Sequence, residues 1–131
     1  MNLLLDTQTL IWWREGHRKL GRRTRSAIEK DATIVKVSVA TAWEVAIKWR
    51  IGRLKLPAPP DRWLPSALDS SGFEVLTVSL EHALAVAGLP DHHPDPFDRL
   101  LIAQAQLEGL TIVTSDSAFD DYEVRVLDAR V

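Results

Sequence analysis

Short apolar runs alternate along the chain with stretches in which apolar residues recur every three or four positions. Leu3, Leu4 and Leu5 form a run that ends at Asp6, and helical spacing sets in at once over residues 7–13, which predicts a buried strand and then a helix. After a turn at residues 15–17, residues 18–31 place Leu20, Thr24, Ala27 and Ile28 at helical intervals among arginines, the pattern of a surface helix. Residues 33–39 are dense in β-branched side chains and predict a second strand. Trp43, Ala46, Ile47 and Ile51 then predict a helix over residues 40–50 with Trp43 on its core stripe.

Pro57, Pro59, Pro60 and Pro65 interrupt regular structure and predict a turn before a short helix at about residues 63–70. A third strand is expected at residues 73–78. It is followed by a helical stripe of Leu80, Ala83, Leu84 and Ala87 that Gly88 and Pro90 stop. Asp95 and Pro96 supply an N-cap and a first-turn proline for a helix running to Glu108. Gly109 ends it before a strand at residues 110–114, and a last strand is expected at residues 123–127.

Parallel strands need crossover connections, and helices between strands supply them, so the alternation predicts an α/β sandwich with a mainly parallel sheet. In such folds sites gather beyond the carboxyl ends of the strands. The 131 residues fit one domain spanning residues 1–131.

Composition is that of an ordinary globular chain, 46% hydrophobic and 26% charged. The absence of cysteine removes disulfides, thiolate metal sites and cysteine nucleophiles. Asp6 interrupts the first apolar run before a signal core can form, so neither secretion nor a membrane span is expected, and the cytoplasm is the default location. A net charge of −2 argues against binding nucleic acid through a uniform positive field. The charge is unevenly spread, however: residues 14–55 hold 12 of the 16 basic residues, and half of the 18 acids lie from Asp91 onward, so a basic flank can stand beside an acidic pocket.

Asp6 directly follows the first strand and Asp116 lies just past the fourth, so parallel strands bring both to one edge. Glu44 lies one turn into the helix after the second strand, and Asp98 lies in the first turn of the helix that leads into the fourth. Each acid also has a plain structural use. Asp6 and Asp116 suit caps or turns, and Asp98 suits the helix dipole. Thr41 and Glu44 match a capping box, while Glu44 and Lys48 match an ion pair at i, i+4. If all four carboxylates converged to within about 5 Å, each pair would repel by roughly 3 kcal/mol at an effective dielectric of about 20. Protonation or a divalent cation relieves that, and an all-oxygen set with no cysteine favours Mg²⁺ or Mn²⁺.

The sequence resembles a PIN domain, in particular the VapC-type toxins of toxin–antitoxin pairs. Four segments in order carry the resemblance: Leu3-Leu-Leu-Asp6-Thr7, Ser38-Val-Ala-Thr-Ala-Trp-Glu44-Val-Ala-Ile-Lys48, Asp95-Pro-Phe-Asp98-Arg-Leu-Leu-Ile-Ala-Gln-Ala105 and Ile112-Val-Thr-Ser-Asp116. The resemblance implies a three-layer α/β/α sandwich and assigns Asp6, Glu44, Asp98 and Asp116 to an acidic quartet that binds Mg²⁺ or Mn²⁺, with Asp95 left as the helix cap. It also sets Thr114 beside Asp116, which its hydroxyl would orient. Asp120 and Asp121 depart from the pattern by adding negative charge after Asp116.

The implied activity is metal-dependent hydrolysis of RNA phosphodiesters. Asp6 and Asp98 would be direct ligands, Glu44 a ligand or a base acting through water, and Asp116 a support for a second ion or for water. Lys48 and Arg99 are candidate phosphate contacts. The implied partners are an RNA substrate, a second copy of the chain and a cognate antitoxin, for whose amphipathic helix Trp12, Trp13, Trp49 and Trp63 could form an apolar groove. Two alternatives stand beside this: an aspartyl phosphotransfer domain with Asp6 as nucleophile, and an inactive binding module of the same fold. Adjacent histidines point apart on most backbones, so His92 and His93 are expected to belong to a plain loop.

Overall fold

A computed structural model describes residues 1–32 and 34–131. Five strands, β1 (Asn2–Leu5), β2 (Ile34–Ser38), β3 (Glu74–Leu76), β4 (Thr111–Thr114) and β5 (Val126–Asp128), form one sheet in the order β3-β2-β1-β4-β5. Every pairing is parallel, with Leu4 opposite both Lys36 and Ile112. The chain winds first to one side of β1 and then to the other, so the topological switch lies between β1 and β4, where α/β sheets open their binding crevice.

Helices cover both faces, giving the three-layer α/β/α sandwich. On one face Leu3, Leu5, Val35, Val37 and Val113 meet Leu10 of α1 (Thr7–Glu15), Ile28, and Leu64 and Leu68 of α4 (Pro60–Ser71). On the other, Leu4, Leu76 and Ile112 meet Leu101, Ile102 and Ala105 of α6 (Pro96–Glu108), with Phe119 and Tyr122. Leu3, Leu4 and Leu5 are all fully buried, as a strand covered on both faces requires.

Several elements differ from the sequence expectation. The helix predicted at residues 18–31 starts at Arg22, runs as α2 (Arg22–Ser26) and widens into a π turn over Ala27–Asp31. It lies on the surface as expected, with Leu20, Thr24, Ala27 and Ile28 buried and Arg22, Arg23, Glu29 and Lys30 exposed. The start of the second predicted strand, Thr33, lies outside the described residues. The proline-rich stretch makes a longer helix than expected, because Pro60 takes the first-turn position and Pro65 is accommodated inside α4. β3 is shorter than its apolar run, and β5 is displaced toward the C-terminus.

The largest correction concerns α3 (Val39–Arg50). It buries Ala40, Thr41, Glu44 and Val45, while Val39, Trp43, Ile47 and Ile51 face outward, Trp43 with 63% of its surface exposed. Both stripes have helical spacing, so spacing alone could not decide which one faced the sheet. The same holds for α5 (Leu80–Ala85), where Leu80 and Leu84 are exposed and His82 is the buried residue. Trp12, Trp13 and Trp63 pack against the first core cluster instead of standing free. No helix among the described residues is long and apolar enough to cross a membrane.

Candidate active site

Asp6, Glu44, Asp98 and Asp116 line one cavity of about 370 Å³, together with Thr7, Lys48, Arg53 and Asp95. Separate elements deliver the four acids. Asp6 terminates β1 and caps α1, its Oδ1 accepting from Thr9 N–H at 2.9 Å. Glu44 is carried inward by α3, whose N-cap is Ser38, so the capping box expected at Thr41 does not form. Asp98 sits in the first turn of α6, whose N-cap is Asp95. Asp116 follows β4 and caps a short 3₁₀ turn over Ser117–Asp121, Oδ1 accepting from Ala118 N–H at 2.9 Å. Capping therefore uses one oxygen each of Asp6 and Asp116.

The second oxygen of Asp6 accepts from Thr114 Oγ1 at 2.6 Å, and the Thr114 oxygen accepts from the Asp116 backbone N–H at 3.0 Å. The expected hydrogen bond between Thr114 and Asp116 is thus present, made to the Asp116 backbone, while the hydroxyl hydrogen goes to Asp6, because β1 and β4 are neighbours. Glu44 is 4% exposed and accepts from the Thr7 hydroxyl and from Lys48 Nζ, the latter at 2.7 Å. The hydrogen bond to Glu44 raises the Lys48 pKa above its ordinary value.

Burial raises the Asp6 pKa despite the hydrogen bonds from Thr114 and Thr9 that lower it, with Glu44 adding repulsion. Burial also pushes Asp98 up to about 8, reinforced by the charges of Asp95, Asp6, Glu44 and Asp116. The carboxylates are thus close enough to disfavour one another's ionised form, the condition that a cation or a proton relieves.

The tightest group, however, contains His93, a residue expected to belong to a plain loop. His93 Nε2 lies 3.0 Å from Oδ2 of Asp98 and 3.0 Å from Oδ2 of Asp116, and the three ligand atoms lie within 4.8 Å of one another. Asp6 and Glu44 are not part of that triad but line the same cavity as Asp98 and Asp116. The adjacent histidines and the Asp-Pro cap two residues on were the sequence signals near His93, and neither reveals where the ring points. Arg99, expected as a phosphate contact, is instead held by the carbonyls of Pro90, Val86 and Leu89 and by the Tyr122 hydroxyl.

The profile of the PIN domain family matches residues 3–124. Over 115 residues the chain is 33% identical to "Ribonuclease VapC22" of Mycobacterium tuberculosis (strain ATCC 25618 / H37Rv), a match covering 87% of this chain and 86% of that protein. The fold is similar to that in the crystal structure of VapBC2 from Rickettsia felis bound to a DNA fragment from their promoter, with a TM-score of 0.70 and 17% identity over 97% of this chain and 98% of that one. It is also similar to the DNA-bound VapBC of Salmonella typhimurium, with a TM-score of 0.65 and 22% identity over 98% of each chain.

Proposed function

The chain belongs to the PIN domain family, and on that premise we propose that it is a Mg²⁺- or Mn²⁺-dependent endoribonuclease, the cytoplasmic toxin of a toxin–antitoxin pair. One observation carries the proposal: four carboxylates separated by up to 110 positions line a single cavity that also holds Lys48 and Arg53. A relative named as a ribonuclease, similar over most of both chains, supports the choice of RNA as substrate.

The residues fit a hard divalent cation. The donors are all oxygens, and Asp98 is held near 8 by burial and by neighbouring charge that a cation would neutralise. Asp6 and Asp98 would be the direct ligands, with Glu44 and Asp116 completing the set. When bound, Mg²⁺ or Mn²⁺ would supply a lowered pKa for water and neutralise charge on the phosphate.

The chain's own groups account for the rest. Thr114 and Thr9 fix the Asp6 carboxylate, so its orientation is set before anything binds. Glu44, tied to Thr7 and Lys48, is placed to accept a proton from water in the cavity. Lys48 and Arg53 supply positive charge to a phosphodiester lying against the acids. An aspartyl phosphotransfer is disfavoured because Asp6 is followed by Thr7 and Gln8, with no second aspartate two positions on.

The proposal includes an antitoxin and a second copy of the chain as partners. Val39, Trp43, Ile47 and Ile51 on and beside α3 give a concentrated exposed apolar surface of the kind that partners cover.

Incubating the protein with mixed cellular RNA, with Mg²⁺ or with chelator, tests the proposal. Discrete internal cuts that appear with Mg²⁺ and vanish with chelator and in Asp98→Asn are the expected result. Intact RNA under both conditions would refute it.

A further inference from the structure

The loop before α6 puts an imidazole where its role is fixed by hydrogen bonding. His93 Nδ1 accepts from the Asp95 backbone N–H at 3.2 Å, so the ring hydrogen resides on Nε2. That Nε2–H donates to Asp116 Oδ2 at 3.0 Å, and Asp98 Oδ2 lies 3.0 Å from the same nitrogen. The ring is held from other sides as well. Its backbone N–H donates to the Tyr122 hydroxyl at 2.8 Å, and its edge meets the Phe119 ring, with centroids 5.7 Å apart and planes at 88°. Tyr122 in turn donates to Pro90 O, and the side chain of Arg99 braces the same turn. Two buried aromatic residues and an arginine thus hold one imidazole in place.

An imidazole beside two carboxylates can also be a metal ligand, but the geometry opposes that use. Ligation through Nε2 needs a lone pair there, and so needs the hydrogen moved to Nδ1, against the Asp95 N–H. His93 is also absent from the residues lining the cavity, whereas Asp98 and Asp116 both line it. Its side chain is 10% exposed.

We propose that His93 is a positioning residue: its Nε2–H clamps Asp98 and Asp116, residues on two different elements, in the orientation that lets the acid cluster take a divalent cation. The inference rests on the metal-dependent reading above and deepens it. Asp116 is the acid that most needs such a clamp, because its side chain is 45% exposed, against 17% for Asp98, and a mobile carboxylate pays ordering entropy on binding an ion. Groups that orient carboxylate and imidazole ligands from outside the coordination sphere typically change metal affinity by about 10–100-fold when removed.

The test is Mn²⁺ binding to the full chain, read from the loss of the free-ion signal in electron paramagnetic resonance, for the wild type, His93→Phe and His93→Gln. Phenylalanine keeps a ring against Phe119 but donates nothing; glutamine keeps an N–H donor. The clamp is supported if His93→Phe binds Mn²⁺ about 10–100-fold more weakly and His93→Gln recovers most of that loss. It is overturned if His93→Phe binds as the wild type does, or if both variants lose affinity equally. Nitrogen-15 spectra of the unmutated chain keep the test independent of variant folding. The His93 ring should remain the Nε2–H tautomer when Mg²⁺ is added, and transfer of the hydrogen to Nδ1 would make it a ligand and overturn the clamp. A wild type that binds no Mn²⁺ removes both the metal site and the clamp, whereas binding that ignores residue 93 removes only the clamp.

Discussion

Thr114 Oγ1 donates to Asp6 Oδ2 at 2.6 Å, joining residues 108 positions apart at the carboxyl ends of adjacent parallel strands. Both residues are buried, so the bond replaces water that Asp6 has lost. Thr114→Val keeps the shape and removes the donor. It is expected to cost about 1–3 kcal/mol of stability by urea unfolding, and to weaken Mg²⁺ binding at neutral pH by letting burial raise the Asp6 pKa further. Thr114→Ser should restore both, and a neutral valine variant would show that the hydroxyl does not support Asp6.

Burial, reinforced by the neighbouring carboxylates, pushes the Asp98 carboxyl up to about 8 from its ordinary 3.8. Between those values the folded chain holds a proton that the unfolded chain has released. The stability contributed by protonated Asp98 is therefore greatest at the acid end and is lost as pH rises through the folded-state value. Metal-free chain should grow less stable by urea unfolding from about pH 5 to about pH 8, relative to Asp98→Asn, which lacks this titration. Mg²⁺ affinity should run the opposite way, rising over the same interval, because the ion displaces that proton. Parallel stability profiles for the two proteins would contradict the shift.

Gln104, fully buried on α6, accepts from Ser38 Oγ at 2.6 Å and donates to Thr77 O at 3.2 Å, which ties α6 to the carboxyl ends of β2 and β3. Gln104→Leu strands both partners and should cost about 1–3 kcal/mol by thermal or urea unfolding. A loss well below that would mean that Ser38 and Thr77 find other partners.

Trp43 is 63% exposed and touches Phe97 edge-on at the start of α6. Trp43→Ser should leave the melting temperature nearly unchanged while weakening self-association, read by light scattering across a concentration series. A variant that associates as the wild type does would exclude this face.

The elements that place the acids could be read in the sequence because each has a local cause: an apolar run ending at Asp6, a β-branched run before α3, and the Asp95-Pro96 cap with Gly109 closing α6. Parallel strands sharing one edge bring Asp6 and Asp116 together, whereas Glu44 and Asp98 were joined to them by the family resemblance. What could not be read depended on direction. Helical spacing on α3 offers two apolar stripes, and the one bearing Trp43 turned outward because Glu44 faces the cavity, held there by Thr7 and Lys48. His93 was missed because its role depends on Tyr122 and Phe119 folding back over the loop, contacts that span about thirty positions and leave no local pattern.

The most direct measurement is a crystal structure of the chain soaked in Mn²⁺, using the anomalous signal of the metal. A peak bonded to carboxylate oxygens of Asp6 and Asp98, and lost in Asp6→Asn, which preserves the cap on α1, is the expected result. An empty cavity at millimolar Mn²⁺, or a peak that persists unchanged in Asp6→Asn, would contradict a metal centre built from these acids.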